Sequence, residues 1–279
     1  MKRIKKSAQE PSQLTAYKSA HPVGTSGHDW DVMCKAISTT KRVIQAQIRR
    51  DQRGLCAYCE IDMLQPKTNA ADGRGPKADF QVEHFHEKND KSPANRPNPA
   101  CDWGLWWPNL YGCCMGGAEK VLVDPTRSAA SKNGQHCGAK KLGKSLSTVI
   151  LDPHQIPAFP CLFTTVVPPG QTEQLELVPN VAKCSAVGPG IAQKAQASID
   201  SLNLNCVILS KRRRGAIHKV FSLVQERMKS VASFDAALEQ IIAELYDPQA
   251  PTWPPFFSSI RAYFGVVVEN HLRKINYDG

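Results

Sequence analysis

No apolar run in this 279-residue chain approaches the roughly 20 residues that a membrane-spanning helix requires. Nor does an apolar stretch follow the basic start Met1-Lys2-Arg3-Ile4-Lys5-Lys6, so no secretory signal is expected and a cytoplasmic location is. Internal repeats are missing, and no βαβ unit surrounds the C-x-x-C pair at Cys56 and Cys59, which disfavours a thiol redox site. Acidic residues are scarce: 25 Asp and Glu stand against 35 Lys and Arg, giving a formal charge of +10 and a pI near 9.1. Such a balance suits a polyanionic partner, because neutralising phosphates releases counterions, although a solvated basic surface would satisfy it equally. The ten cysteines lack the short, secreted setting of a disulfide framework, so metal ligation is the expectation for them. With 42% hydrophobic residues the chain can bury a sizeable core, as one large domain or two smaller ones.

Residues 1–30 mix Pro11, Pro22, Gly24 and Gly27 with polar residues and read as a basic, loosely structured arm. From Asp31 onward, Val32, Met33, Ile37, Val43, Ile44 and Ile48 recur at near-helical spacing and predict one helix, or two short ones, ending before Gly54. A loop is expected over 65–79, a short strand over 80–85, and irregular chain over 89–98, where Pro93 and Pro97 exclude a regular element. Trp103, Trp106 and Trp107 are expected to supply core area rather than base stacking. Beyond the stretch ending in Leu151-Asp152-Pro153, two β-rich runs at 162–167 and 174–178 predict a hairpin across Pro168-Pro169-Gly170-Gln171. Periodic apolar residues then predict helices over 191–202, 207–232, 234–245 and 256–275, with prolines separating the last two.

The chemistry-bearing residues concentrate between these elements. Gly54 precedes Cys56-Ala57-Tyr58-Cys59, and Cys113-Cys114 and His136-Cys137 come at a distance downstream. Thiolate pairs from separate segments each supply an edge of the tetrahedron that structural zinc demands. Inside that bracket, Glu83-His84 closes the predicted strand and Asn109 lies one loop later. A histidine near its ordinary pKa can accept a proton at cellular pH, and a carboxylate is a hard-oxygen ligand suited to magnesium. Cys34, Cys161, Cys184 and Cys206 read as buried free thiols, and Cys101 is left open.

These residues resemble the HNH endonuclease motif, in which a ββα-metal finger holds one divalent cation and a histidine base. More narrowly, Val82-Glu83-His84-Phe85, Asn109-Leu110, Leu151-Asp152-Pro153 and Leu202-Asn203-Leu204-Asn205 resemble the HNH subunit of Septu-type antiphage systems, including those attached to retrons, over residues 40–215. The expected fold is α+β: an arm at 1–30, a zinc-stapled HNH nuclease domain at 31–160 that the resemblance implies, and a hairpin and mainly helical, partner-docking region at 161–279, the final third of the chain carrying no resemblance. The resemblance implies His84 as base, Glu83 as ligand to Mg2+ or Mn2+, and Asn109 as the group that orients the histidine or the loop carrying it. It places a variable insertion at about 115–135 and structural Zn2+ on Cys56, Cys59, Cys114 and Cys137, with Cys113 as an alternative to Cys114.

Lys140 and Lys141 are expected on nucleic-acid phosphate, and Lys211-Arg212-Arg213-Arg214 could extend that surface. Implied partners are DNA or RNA, an ATPase subunit resembling an SMC or ABC-type ATPase, and a retron reverse transcriptase with its RNA-DNA hybrid. One departure stands out: the position after the last cysteine, commonly a second metal ligand in HNH proteins, is Gly138. His136, His86, an insertion residue or water would then complete the site, or activity is weakened. A zinc-dependent nucleic-acid-binding subunit without catalysis is the alternative function.

Overall fold

The computed structural model describes residues 1–63, 80–117, 134–141 and 144–279; the loop expected at 65–79 and most of the expected insertion lie outside them. Helices α1 (Ser12–Ala20), α2 (Trp30–Ala36) and α3 (Ser38–Asp51) precede a two-stranded antiparallel hairpin of β1 (Phe80–His84) and β2 (Leu110–Cys114). The short α4 (Cys137–Lys141) packs on β2. A second antiparallel pair, β3 (Phe163–Val166) and β4 (Glu176–Pro179), leads into α5 (Val181–Val187), α6 (Ile191–Ser201), α7 (Val207–Arg227), α8 (Phe234–Leu245), α9 (Phe257–Phe264) and α10 (Val266–Lys274). The mixture of small sheets and many helices agrees with the expected α+β class.

Local chemistry explains most boundaries. The amphipathic stretch from residue 31 divides at Ile37, where α2 stops and α3 starts. Asp29 caps α2, its carboxylate accepting from the amides of Asp31 and Val32. The helix expected over 256–275 divides at Gly265, whose φ of +53 a residue with a side chain adopts only with strain. The expected hairpin forms with Phe163 opposite Pro179 and Val166 opposite Glu176. Helix α1 and strand β2 carry too little periodicity to be legible in the sequence. Leu14 and Tyr17 anchor α1 in the same cluster as Ile44, Ile48, Phe80 and Leu110.

The first residues differ from the loose basic arm expected of them. Met1, Lys2, Ile4 and Lys6 are buried, and Ile4 donates its amide to the Pro153 carbonyl. The Lys6 ammonium lies 3.3 Å from the centroid of the Trp107 ring and donates to the Leu110 carbonyl; burial lowers its pKa to about 7. Arg3 reaches the Ile156 carbonyl and pairs with Asp278 at 3.1 Å. Apolar Met1 and Ile4 alternate with cations whose donors find carbonyls and rings, so the segment straps the molecule instead of trailing from it.

Part of the basic run on α7 is likewise internal. Arg213 is fully buried, its guanidinium donating to the carbonyls of Leu175 at 2.7 Å and Leu204 at 2.9 Å. It joins the β3–β4 turn to the start of α7, whereas Lys211 is exposed and Arg212 and Arg214 are half-buried. Arg213→Ala would leave two buried carbonyls without their donor and open space beside Phe256. We expect a loss of about 3 kcal/mol in chemical denaturation, whereas Lys211→Ala should stay within about 0.5 kcal/mol of the parent.

Candidate metal and catalytic site

The knuckle is built from the backbone outward. Arg53 and Gly54, with φ of 55 and 74, turn the chain out of α3. The Cys56 amide then donates to the Ile61 carbonyl and the Glu60 amide to the Cys56 carbonyl, curling both sulfurs to one side. Buried Gln52 locks this turn onto β2: its carbonyl accepts from the Gly112 amide at 2.6 Å, while its amide donates to Leu55 and Gly112 carbonyls. A Cβ added at Gly112 would stand 2.9 Å from both Ile48 and the Met63 sulfur, so a larger residue there would have to displace those side chains. Nothing in the sequence pattern singles out Gln52.

The sulfurs of Cys56, Cys59, Cys114 and Cys137 all lie within 4.8 Å of one another and are buried. Cys56 and Cys137 stand 4.0 Å apart, Cys59 and Cys114 3.6 Å. A tetrahedron with zinc–sulfur bonds of about 2.3 Å has edges of about 3.8 Å, so the spacing fits such an ion. Burial pushes the Cys59 and Cys137 thiols well above their ordinary pKa, the state that a bound dication would reverse. Cys114 rather than Cys113 completes the set of four; the Cys113 sulfur stands beside it on the α4 side, where it accepts from the Gly138 amide at 3.2 Å. Cys137 holds a φ of +54, in the left-handed region. The C-terminal half imposes it: the Cys137 amide donates to the Leu202 carbonyl and Asn203 donates to the Gln135 carbonyl. Asn205 in turn bonds both backbone groups of Leu177, and Asp152 accepts from the Tyr111 hydroxyl. The Leu202–Asn205 and Leu151–Pro153 strings thus act as clamps.

Register places Glu83 opposite Tyr111 and His84 opposite Leu110. Adjacent residues of a strand face opposite ways, so Glu83 points toward α4 and His84 toward α2. The His84 ring packs edge-on against Trp30 at 5.0 Å, and its Nε2 lies 3.0 Å from the Gly104 carbonyl oxygen. A carbonyl only accepts, so the neutral ring carries its proton on Nε2 and a lone pair on Nδ1. Burial lowers the His84 pKa to about 4, which keeps the ring neutral at pH 7.

Asn109 does not touch the imidazole; its side chain clamps the backbone beyond it. Oδ1 accepts from the His86 amide at 2.7 Å, while Nδ2 donates to the carbonyls of His86 at 3.0 Å and Trp103 at 2.8 Å. Its hydrogen bonds go to the loop backbone, and none goes to the ring.

Lys141 departs from expectation. Instead of lying free for phosphate, its buried ammonium gives its three protons to Glu83 Oε1 at 2.6 Å, the His84 carbonyl at 2.6 Å and the Phe85 carbonyl at 2.9 Å. Lys140, its neighbour on α4, is half-buried. The imidazole, carboxylate and amide therefore do not meet in one hollow; they flank and brace residues 83–86. His86 is engaged by Asp90, Ser147 and the Trp103 ring, and His136 stands beside Cys59 and Gly134, so neither completes a site at Glu83.

Compared with known proteins, the chain is 27% identical over 241 residues to an Escherichia coli protein assigned by name alone as an HNH endonuclease of retron Ec83. The match spans 81% of this chain and 83% of that protein. No protein-family model and no solved structure matches. The likeness to retron-associated HNH endonucleases is therefore found across most of the chain as well as in its motifs.

Two measurements check this geometry. Cys114→Ser should abolish stoichiometric zinc in elemental analysis of the purified protein, while Cys113→Ser should retain it; equal losses would contradict the sulfur assignment. In NMR titration the His84 ring should stay neutral, with its proton on Nε2, down to a midpoint near 4. A midpoint at 6.5 would refute the burial. Because the folded pKa lies below the unfolded one, the unfolded chain binds the proton first, and His84 favours unfolding increasingly as pH falls from 6.5 to about 4.

Proposed function

We propose that this protein is a metal-dependent HNH endonuclease, the effector of a retron-associated antiphage system, hydrolysing nucleic-acid phosphodiester bonds under an ATPase subunit. The observation that carries the reading is the His84 imidazole: neutral although its pKa is not the ordinary one expected, oriented through Nε2 to the Gly104 carbonyl, and left with an unprotonated lone pair on Nδ1 at the end of β1. Such a group can take the proton of an attacking water. Asn109, by fixing the His86 backbone, holds the turn after β1 and with it the ring's position. Glu83 Oε2 accepts no hydrogen bond among the described residues, and a carboxylate oxygen is a fitting donor for Mg2+ or Mn2+. Bound there, a divalent cation would neutralise charge on the oxygens of a phosphate that reaches round the end of β1 to both Glu83 and His84.

The relative's name ties it to a retron, which supports the defence context and, in it, a reverse transcriptase with its RNA-DNA hybrid as neighbours. Structural Zn2+ on the four cysteines is part of the same reading, as are a ββα-metal core formed by β1, β2 and α4 and a helical docking surface for the ATPase in the final third. Phosphate contact falls to Lys140 and to the α7 surface, where Lys211, Arg214 and His218 line an open hollow of about 360 Å3 with Glu173. No helix among the described residues is long and apolar enough to cross a membrane.

A second reading, a zinc-dependent nucleic-acid-binding subunit without catalysis, is favoured by Lys141 saturating Glu83 Oε1 and by the absence of a side chain at 138. Purified protein, with and without its partner subunits, incubated with plasmid DNA and total RNA in magnesium separates the two. The nuclease reading expects cleavage that His84→Ala slows by about 10²-fold or more at unchanged zinc content, together with loss of phage protection. Protection and cleavage that survive in His84→Ala would overturn it.

A further inference from the structure

The space over Gly138 is occupied in a way the cysteine motif did not foretell. A Cβ built on Gly138 would meet Gln81 Nε2 at 2.6 Å, Glu83 Oε2 at 3.2 Å and Cys113 Sγ at 3.2 Å. Gln81 and Glu83 are two apart on β1, so strand alternation sends both toward α4. Gln81 pairs with Cys113 across the hairpin, which sets its amide directly over the first turn of α4. Among the described residues neither the Gln81 amide nor Glu83 Oε2 makes a hydrogen bond, although both aim at one point. Lys141 binds the other carboxylate oxygen, Oε1, at 2.6 Å, and the Cys113 sulfur borders the same point at 3.2 Å.

From this juxtaposition we infer that Gln81 is the second protein ligand of the cation held at Glu83, its carboxamide oxygen taking the place that residue 138 gives up. The inference rests on the nuclease reading of Glu83 and adds to it the donor that the sequence left unidentified. Amide oxygens belong with carboxylates in the hard-donor set of magnesium and manganese. A half-turn of the carboxamide exchanges its oxygen and nitrogen at the same position, so the Gln81 side chain can present oxygen to the space shared with Glu83. Glycine at 138 is then a requirement of the arrangement, since any larger residue displaces the Gln81 amide. Position 138 and position 81 are alternatives for one volume: a ligand can enter from the helix or from the strand, not from both.

The test uses the full-length, zinc-loaded protein and Mn2+ as the probe, with binding read from the electron paramagnetic resonance signal of free Mn2+ and zinc content measured on each sample. Wild type should bind one Mn2+ per chain. Glu83→Gln and Gln81→Ala should each weaken that binding by about tenfold or more with zinc retained. The double variant Gln81→Ala with Gly138→Asn should recover most of the affinity, because truncation at 81 clears room for a donor at 138. Gly138→Asn alone should bind more weakly than the double variant, through its clash with Gln81. Wild-type affinity in Gln81→Ala, or no recovery in the double variant, overturns the inference while leaving Glu83 as a ligand. Wild-type affinity in Glu83→Gln, or no Mn2+ bound by wild type, overturns both the inference and the nuclease reading of Glu83.

Discussion

Four sulfurs that come from three separated stretches of chain are the constraint on which the rest of the structure depends. Cys56 and Cys59 belong to the knuckle after α3, Cys114 ends β2, and Cys137 opens α4. One ion among them would fix knuckle, hairpin and helix relative to one another, and the hairpin carries Glu83 and His84. The hairpin has only two strands of five residues each, too little apolar surface to hold itself in water. Gln52, Tyr111 with Asp152, and Lys141 act as secondary ties on the same unit.

This unit is also bonded throughout to the C-terminal half of the chain. Glu60, the residue after the knuckle, is buried and accepts from the Ser258 amide and hydroxyl at the start of α9. The strained Cys137 backbone is held by Leu202, and the N-terminal strap crosses to Pro153, Ile156 and Asp278. The C-terminal helices thus have direct hydrogen-bonded routes to the cysteine knuckle.

Much of the fold is legible in the sequence because it rests on spacing and periodicity. The division into α2 and α3, the strand at β1, the β3–β4 hairpin and helices α6 to α8 come from apolar rhythm, and the sulfur cluster comes from paired cysteines bracketing a polar strand end. The features that stay hidden depend on tertiary partners. Lys2, Lys6, Lys141 and Arg213 look like surface cations in a chain of charge +10, yet each is buried against carbonyls, rings or a carboxylate. Charge patterning counts such residues without showing where their donors end up. Cys113 and Cys114 cannot be separated by spacing, and only the folded positions of the sulfurs decide between them. The Gln81 amide is invisible for a similar reason: its meaning comes from the missing side chain at Gly138, 57 positions away in sequence but adjacent across the α4–β1 contact.

If the four-sulfur clasp holds the β1–β2 hairpin in place, hydrogen exchange measured by mass spectrometry before and after zinc removal with a chelator tests that claim most directly. Amides of the knuckle, of Phe80–His84, of Leu110–Cys114 and of α4 should lose protection together, while the apolar cluster of α7, α8 and α10 retains it. Unchanged protection along β1 and β2 in zinc-free protein would contradict it.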